Sequence, residues 1–62
     1  MKKAIGNDLV DLAGSIRYET EKAFLFHDGT KTVWLPKSQC EWDEASRIMT
    51  LPEWLALEKE LI

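Results

Sequence analysis

Residues 22–35 read KAFLFHDGTKTVWL, and this stretch decides the fold class of the 62-residue chain. Two runs rich in aromatic and β-branched residues, Lys22–His27 and Thr30–Leu35, flank the dipeptide Asp28-Gly29. Such runs favour β-strands, and Asp-Gly tolerates the positive φ angles of a type I′ turn. The stretch therefore predicts a β-hairpin with a two-residue loop at Asp28-Gly29.

Both faces of the predicted hairpin carry apolar side chains. With a two-residue loop, one face places Ala23, Leu25 and His27 opposite Trp34, Thr32 and Thr30, and the other places Phe24 opposite Val33, flanked by Phe26 and Leu35. A hairpin that is apolar on two faces is typical of a central position, with one face in the core and the other partly covered by a helix or a partner.

The chain after the hairpin predicts a turn and two further strands. Pro36 has no N–H to donate to a ladder, so the second hairpin strand ends at or before it, and Pro36–Gln39 forms a turn. Residues 40–43 alternate apolar and acidic side chains, which predicts a short half-buried strand. The last predicted strand is Arg47–Leu51.

The C-terminal residues predict an amphipathic helix over Pro52–Leu61. Proline suits the first helical position because its missing N–H would be unpaired there anyway, and Glu53 in the first turn complements the helix dipole. Helical spacing gathers one apolar stripe, made of Trp54, Leu55, Leu61 and Ile62. We expect Trp54 to dock this helix onto Trp34 or Trp42 and so complete the core.

The first twenty residues leave two interpretations open. Apolar residues between positions 9 and 16 fit either one face of a helix or short strands. We predict a strand over Ser15–Thr20, because Ile16 and Tyr18 alternate there with Arg17 and Glu19.

These elements define a mainly β fold with one C-terminal α-helix. We expect a small antiparallel sheet or an SH3- or OB-like barrel, built on the hairpin at about 22–35 and capped by the helix 52–61. A chain this short buries only about 60% of the surface that its unfolded form exposes, so residues 1–62 form a single domain with one core. Dimerisation would add stability, and both a monomer and a homodimer remain open. A catalytic cleft is not expected, and the chain is predicted not to be an enzyme.

The composition restricts the cellular compartment and the class of partner that we expect for this chain. With 45% hydrophobic and 31% charged residues, the chain has the balance of a folded domain. A single cysteine excludes an internal disulfide and a multi-cysteine zinc site, which favours a reducing cytoplasm. The net charge of −3 opposes general affinity for nucleic-acid phosphates. Apolar runs such as Ala23–Phe26 are far short of the ~20 residues of a membrane span.

Four sequence strings together resemble a group of small proteins encoded by bacteriophages and prophages. They occur in order along the last two-thirds of the chain: Glu19–Ala23 (ETEKA), the Asp28-Gly29 hairpin, Val33–Gln39 (VWLPKSQ) and Pro52–Leu55 (PEWL). The resemblance implies a bacterial or phage-infected cytoplasm. Because small acidic phage proteins are often inhibitors or modulators of host machinery, including defence systems, it also implies a protein partner in the host.

No arrangement of residues predicts catalysis, a metal site or a cofactor. His27 and Cys40 are single representatives of their types, without the ligand spacing of a transition-metal site. Cys40 is expected to be a small buried hydrophobe rather than a reactive thiol. Asp43 and Glu44 are adjacent, and neighbours in a strand point to opposite faces, so a shared acid–base role is not predicted.

The aromatic residues and the turn after the hairpin predict a binding surface. Trp and Tyr dominate protein interfaces, so an exposed Trp34 or Trp42 beside Lys37 would anchor one, with the turn as a loop held by a rigid hairpin. The predicted binding residues are Trp34, Lys37, Ser38, Gln39, Glu41, Trp42, Asp43 and Glu44. We predict a non-enzymatic protein-binding module; the alternative is a small-barrel binder of single-stranded nucleic acid, through stacking and nearby cations such as Lys31, Lys37 and Arg47.

Overall fold

The computed structural model describes residues 8–62 of the chain. Within this range the strands are β1 (Leu9–Ala13), β2 (Ser15–Glu19), β3 (Ala23–His27), β4 (Thr32–Pro36), β5 (Glu41–Asp43) and β6 (Ile48–Pro52), followed by the helix α1 (Glu53–Glu58). The strands form two antiparallel three-stranded sheets, with the orders β1-β6-β5 and β2-β3-β4. The predicted mainly β class with a C-terminal helix is confirmed. Neither sheet closes on itself among the described strands, so the barrel prediction is not confirmed.

The predicted hairpin is formed by β3 and β4, with a longer loop than expected. His27 pairs with Thr32, so the loop is Asp28–Lys31 and not Asp28-Gly29 alone. Gly29 takes a positive φ of 103°, whereas Asp28 does not. The Asp28 carboxylate instead accepts the backbone N–H groups of Thr30 and Lys31, each at 2.8 Å. This Asx-type turn widens the loop, and its hydrogen bonds hold the pKa of Asp28 below its usual value.

The longer loop shifts the strand register by two residues. Leu25 lies opposite Trp34 and not Thr32, and Phe24 lies opposite Leu35 and not Val33. Because side chains alternate with a period of two, such a shift leaves every residue on its predicted face. The face assignments of the hairpin are therefore correct although the pairing partners are not.

The predicted strand Ser15–Thr20 corresponds to β2, which contains a β-bulge. Ile16 pairs with Phe26 and Tyr18 pairs with Leu25, so Arg17 is an extra residue in the ladder. The bulge breaks the alternation, so Ile16 packs against the core while Tyr18 remains 63% exposed. The expectation that these two side chains share a face is wrong. For the open segment before β2, the structure shows the strand β1 and not a helix.

Gly14 joins β1 to β2, and here the chain passes from one sheet to the other. Its N–H donates to the carbonyl of Arg47, 3.2 Å away. A Cβ atom on this residue would lie 2.3 Å from the carbonyl oxygen of His27 and 2.6 Å from the Phe26 ring. The two sheets therefore approach each other so closely that only glycine fits at this joint.

The last two predicted strands are present as the β5–β6 hairpin. The strand predicted over Arg47–Leu51 begins one residue later, at Ile48, and ends at Pro52. In the loop, the Asp43 carboxylate accepts hydrogen bonds from the Ala45 N–H at 3.1 Å and the Ser46 hydroxyl at 2.9 Å. Arg47 closes the loop with a φ of 59°, which is why it lies outside the strand.

Both sheets and the helix contribute to one hydrophobic cluster. The largest fully buried side chains are Phe26 and Leu35 of one sheet and Met49 and Leu51 of the other. Trp42 packs edge-on against Phe26, with ring centroids 6.1 Å apart. The remaining buried members are Cys40, Leu55 and Ala56.

The helix is shorter than the predicted 52–61. Pro52 is the last residue of β6 and the N-cap of the helix, with φ −63° and ψ 145°, so the helix begins one residue later than predicted. It ends at Glu58 because Glu60 takes a left-handed φ of 59°. The Leu61 N–H then donates to the carbonyl of Ala56 and the Glu60 N–H to that of Leu57, which is a Schellman motif.

The predicted apolar stripe of this helix is correct only in part: Leu55 is buried and Leu61 packs against the core, whereas Trp54 and Ile62 are exposed. The helix packs against β1 and β6 and buries Leu55 and Ala56, whereas Trp54 is 44% exposed. Because the helix has six residues, it has room for one inward-facing turn only. Trp54 therefore does not dock onto Trp34 or Trp42.

We expect truncation of Leu55 to cost more stability than truncation of Trp54, although the sequence places both residues in one apolar stripe. Leu55→Ala leaves a cavity and is expected to lower the free energy of unfolding by about 2–5 kcal/mol. Trp54→Ala removes a half-exposed side chain, for which we expect less than ~1.5 kcal/mol. Urea denaturation of both variants measures the difference, and an equal or greater loss for Trp54→Ala would contradict the helix orientation.

Candidate binding site

An open groove of about 250 Å³ lies where β4 leaves one sheet and β5 enters the other. The connecting turn is fixed by its backbone, since the Lys37 N–H donates to the carbonyl of Lys22 at 2.8 Å and the Gln39 N–H to that of Pro36 at 3.1 Å. Four of the predicted binding residues line the groove together with three further residues. The full lining is Leu9, Lys37, Ser38, Gln39, Cys40, Glu41 and Thr50.

The charge of Lys37 is compensated within the chain. Its ammonium group forms an ion pair with Glu19 and lies 5.1 Å from the centroid of the Phe24 ring. Carboxylate and ring together favour one position for this side chain. Lys37 therefore contributes mainly its aliphatic stem to the groove, and its cation is already engaged.

Glu41 lines the groove, and two further carboxylates, Asp11 and Asp43, lie near it on the same exposed face of the sheet β1-β6-β5. Asp11 and Glu41 both lie opposite Thr50, one on each neighbouring strand, and Asp43 follows two residues later on the same face. The Thr50 hydroxyl donates to Asp11 over 2.7 Å. The ion pairs among residues 8–62 involve other carboxylates. We call Asp11, Glu41 and Asp43 the acidic row; within the described chain none of the three has a cationic partner.

Trp42 and Glu44 lie apart from the groove. Strand alternation turns Trp42 to the opposite face from Glu41, where it packs against the core. Its indole N–H donates to the Glu44 carboxylate over 2.8 Å. The structure thus assigns Glu44 to holding Trp42, and the two residues are not part of one surface with the Lys37–Gln39 turn.

Trp34 lies on the exposed face of the other sheet. It is 45% exposed and packs edge-on against Tyr18, with ring centroids 6.3 Å apart. The predicted binding residues therefore occupy three separate places: the groove with its acidic row, the Trp42–Glu44 pair, and the Trp34 face.

Sequence reasoning missed several residues of these surfaces. Leu9 and Thr50 line the groove, and Asp11 completes the acidic row. A four-residue loop between β5 and β6 places Thr50 opposite Glu41. The sequence signals this loop only weakly, through Asp43 and Ser46, whose side chains form a hydrogen bond in it. Tyr18 was missed as a partner of Trp34 because the bulge at Arg17 leaves no pattern in the sequence.

Cys40 is the least accessible side chain of the groove lining. It is 7% exposed, and burial raises its pKa from 9.0 to about 11. The sulfur therefore remains a protonated thiol at neutral pH, which agrees with the expectation of a buried hydrophobe.

The raised pKa of Cys40 predicts a loss of stability at alkaline pH. Below pH 9.0 the thiol is protonated in both states, so its contribution is fully present; it is lost as pH rises toward about 11, because only the unfolded state ionises freely. We expect the stability difference between wild type and Cys40→Ala to be constant below pH 9.0 and to shrink above it by up to ~2 kcal/mol. Urea denaturation between pH 7 and 11 measures this difference, and a pH-independent difference would contradict it.

Other reactive groups in the described part of the chain form no centre. His27 Nδ1 lies 2.9 Å from the Thr32 hydroxyl in a hydrogen bond across the hairpin. Among residues 8–62, no three His, Cys, Asp or Glu side chains are grouped so as to hold a metal ion. No helix in the same range has the length and apolar character required to cross a membrane.

The fold and the groove define a small β-sheet module with an open groove near a row of acidic residues. No family model, curated protein or solved structure matches this chain.

Proposed function

We propose that this chain is a non-enzymatic protein-binding module of phage type, which occupies or modulates a larger bacterial protein in the cytoplasm. The binding surface is the groove with the acidic row, and the partner presents a basic segment. One observation carries the proposal: Glu41 lines the groove, Asp11 lies next to its Thr50 wall, and neither these two nor Asp43 has a cationic partner among residues 8–62.

The size and lining of the groove favour a single side chain of a protein. Its volume of about 250 Å³ is below the range of ~300–1,000 Å³ that is typical of small-molecule pockets. Leu9, which is 64% exposed, offers an apolar contact, and Ser38 and Gln39 offer hydrogen bonds. A lysine or arginine side chain matches this combination, because its stem is apolar and its head would face the acidic row.

The electrostatics support a basic protein as the partner. The chain has a net charge of −3, and complementary charge speeds association and selects partners. The resemblance to phage proteins supports a more specific role, which is inhibition of a host protein, for example a component of a defence system.

Single-stranded nucleic acid is the alternative ligand, favoured by the exposed Trp34 and Tyr18. Two of the three cations named for it are engaged elsewhere, since Lys31 pairs with Glu60 and Lys37 with Glu19, and only Arg47 has no carboxylate partner among residues 8–62. The net charge also opposes it, so we favour the protein ligand.

The test is an NMR titration of the full chain with a short peptide of alternating leucine and arginine, and with oligo(dT) in parallel. We expect the peptide to shift the amide resonances of Ser38, Gln39, Glu41 and Thr50, with binding that weakens as salt rises. Glu41→Lys should lower the affinity several-fold. The matched control is Glu53→Lys, which makes the same charge change at an exposed helix position and should lower it less.

Two results would overturn the proposal. One is that the peptide-induced shifts spread over the whole surface, or that Glu53→Lys lowers the affinity for the peptide as much as Glu41→Lys does. The other is tighter binding of oligo(dT) than of the peptide, with shifts centred on Tyr18 and Trp34, which would establish the nucleic-acid alternative. Glu44 is left out of the design because its loss would release the Trp42 indole.

A further inference from the structure

Among the described residues, four strands lie at sheet edges, and three of them carry features that discourage pairing with another chain. β2 is bulged at Arg17, β5 has three residues of which two are acidic, and β1 has Asp11 at its centre. Bulges, charges and short length are the usual protection of sheet edges. β4, Thr32–Pro36, has five residues, no charge and no bulge.

The free edge of β4 presents a short, regular set of hydrogen-bonding groups. Within residues 8–62 its only strand partner is β3. The Lys37 N–H bonds to Lys22 and the Asp28 N–H to Lys31, across the same β3–β4 ladder. Antiparallel ladders alternate, so the N–H and C=O groups of Val33 and Leu35 face β3 while those of Thr32 and Trp34 face outward. Pro36 ends this edge because it has no N–H.

Two rows of side chains on the exposed face beside this edge contain no Asp, Glu, Lys or Arg. Strand pairing places Tyr18, Leu25 and Trp34 in one row across the three strands, and Ser15, His27 and Thr32 in the next. In a chain with a net charge of −3, such a face can meet a second copy without bringing like charges together. The acidic row on the other sheet would bring carboxylates of the two copies together.

We propose that two copies of this chain pair through their β4 strands, antiparallel and two-fold symmetric about Val33. In this register Thr32 of one copy lies opposite Trp34 of the other, so each pair of outward residues exchanges both of its backbone hydrogen bonds. The two three-stranded sheets become one six-stranded sheet. The contact is isologous, because the same strand serves on both sides.

The side chains fit this arrangement on both faces. On the exposed face, Trp34 packs over Thr32 of the second copy and reaches the second Trp34 diagonally, a distance that aromatic side chains span in antiparallel pairs. On the inner face the two Val33 side chains are direct neighbours. A contact made by one edge strand is small beside the ~800 Å² per partner of a standard stable complex, so we expect a weak, reversible dimer in the micromolar to millimolar range.

The test is sedimentation equilibrium of the full chain over a range of concentrations, with two variants. Wild type is expected to show a reversible monomer–dimer equilibrium. Trp34→Lys places a charge next to the two-fold axis in each copy and should weaken dimerisation at least tenfold, although it reduces the net charge to about −2 and so lowers the general repulsion. Ala45→Lys makes the same charge change on the exposed β5–β6 loop and should leave the dimer intact. Circular dichroism verifies that both variants are folded.

A second measurement tests the register independently of any variant. In an equimolar mixture of isotope-labelled and unlabelled wild type, a filtered NOE between the two Val33 Hα atoms is expected, because residues in a non-hydrogen-bonded antiparallel pair bring these atoms together. A wild type that stays monomeric at millimolar concentration would overturn the proposal. So would a dimer that Trp34→Lys leaves unchanged, or intermolecular NOEs that map to another surface.

Discussion

Gly14→Ala is expected to lower the free energy of unfolding by ~3 kcal/mol or more, a large share of the stability of about 3–9 kcal/mol expected for a 62-residue domain. The added Cβ would lie 2.3 Å from the His27 carbonyl oxygen and 2.6 Å from the Phe26 ring. Neither neighbour yields easily, because one is backbone at the end of the β2–β3 ladder and the other is fully buried. The two sheets would have to separate at their joint, and urea denaturation measures the cost.

Two further variants separate the causes of this loss. Gly14→Ala combined with Phe26→Leu shortens the ring but keeps the carbonyl contact, so the clash is expected to be relieved only in part. Gly29→Val tests conformation without crowding: Gly29 has a φ of 103° and open space around its Cβ position, and we expect a loss of about 1–2 kcal/mol. A loss below ~1 kcal/mol for Gly14→Ala would show that the sheets are less tightly joined than the structure indicates.

The central part of the fold could be predicted from local sequence patterns. The alternation in residues 22–36 and the proline at its end define β3 and β4, and the face assignments hold even though Asp28 widens the loop. Periodicity depends only on side-chain parity, so a shift of two residues does not disturb it.

The errors arise where one residue changes the geometry without a local signal. The bulge at Arg17 turns Tyr18 outward. The helix, which ends early before the left-handed Glu60, buries Leu55 and Ala56 and leaves Trp54 exposed. Both features depend on tertiary packing. A non-glycine residue at positive φ and an extra residue in a strand are stable only in the right tertiary context, and neither has a local sequence signal.

The candidate site could be predicted in part for the same reason. The turn Lys37–Gln39 and Glu41 are contiguous in sequence, so a proline-led turn was enough to group them. The sequence leaves open whether Trp42 is exposed or buried, because this depends on which side of β5 faces the core. That choice follows from pairing with Met49 on β6, which is a tertiary contact and not a sequence pattern.

Phe26→Ala is expected to lower the free energy of unfolding by about 3–5 kcal/mol, because it leaves a cavity where both sheets meet. Phe26 is fully buried, pairs with Ile16 and Val33 on its own sheet, and contacts Trp42 of the other. Its ring also fills the space that Gly14 leaves open. In the folded fraction, the loss of this ring should let water reach Trp42 and shift its fluorescence emission to longer wavelength.

Trp34→Ala is the matched control, since it truncates an aromatic residue on the opposite, exposed face of the same sheet. Trp34 is 45% exposed and its aromatic contact is the exposed Tyr18, so we expect a loss of about 1 kcal/mol. Measurement at a concentration below the proposed dimer range keeps self-association out of the comparison. A large loss for Phe26→Ala alone places the core between the two sheets, because only that face contacts Trp42 and the cluster of Met49 and Leu51. Equal losses would mean that the Trp34 face is buried as deeply as the Phe26 face, which would contradict this placement of the core.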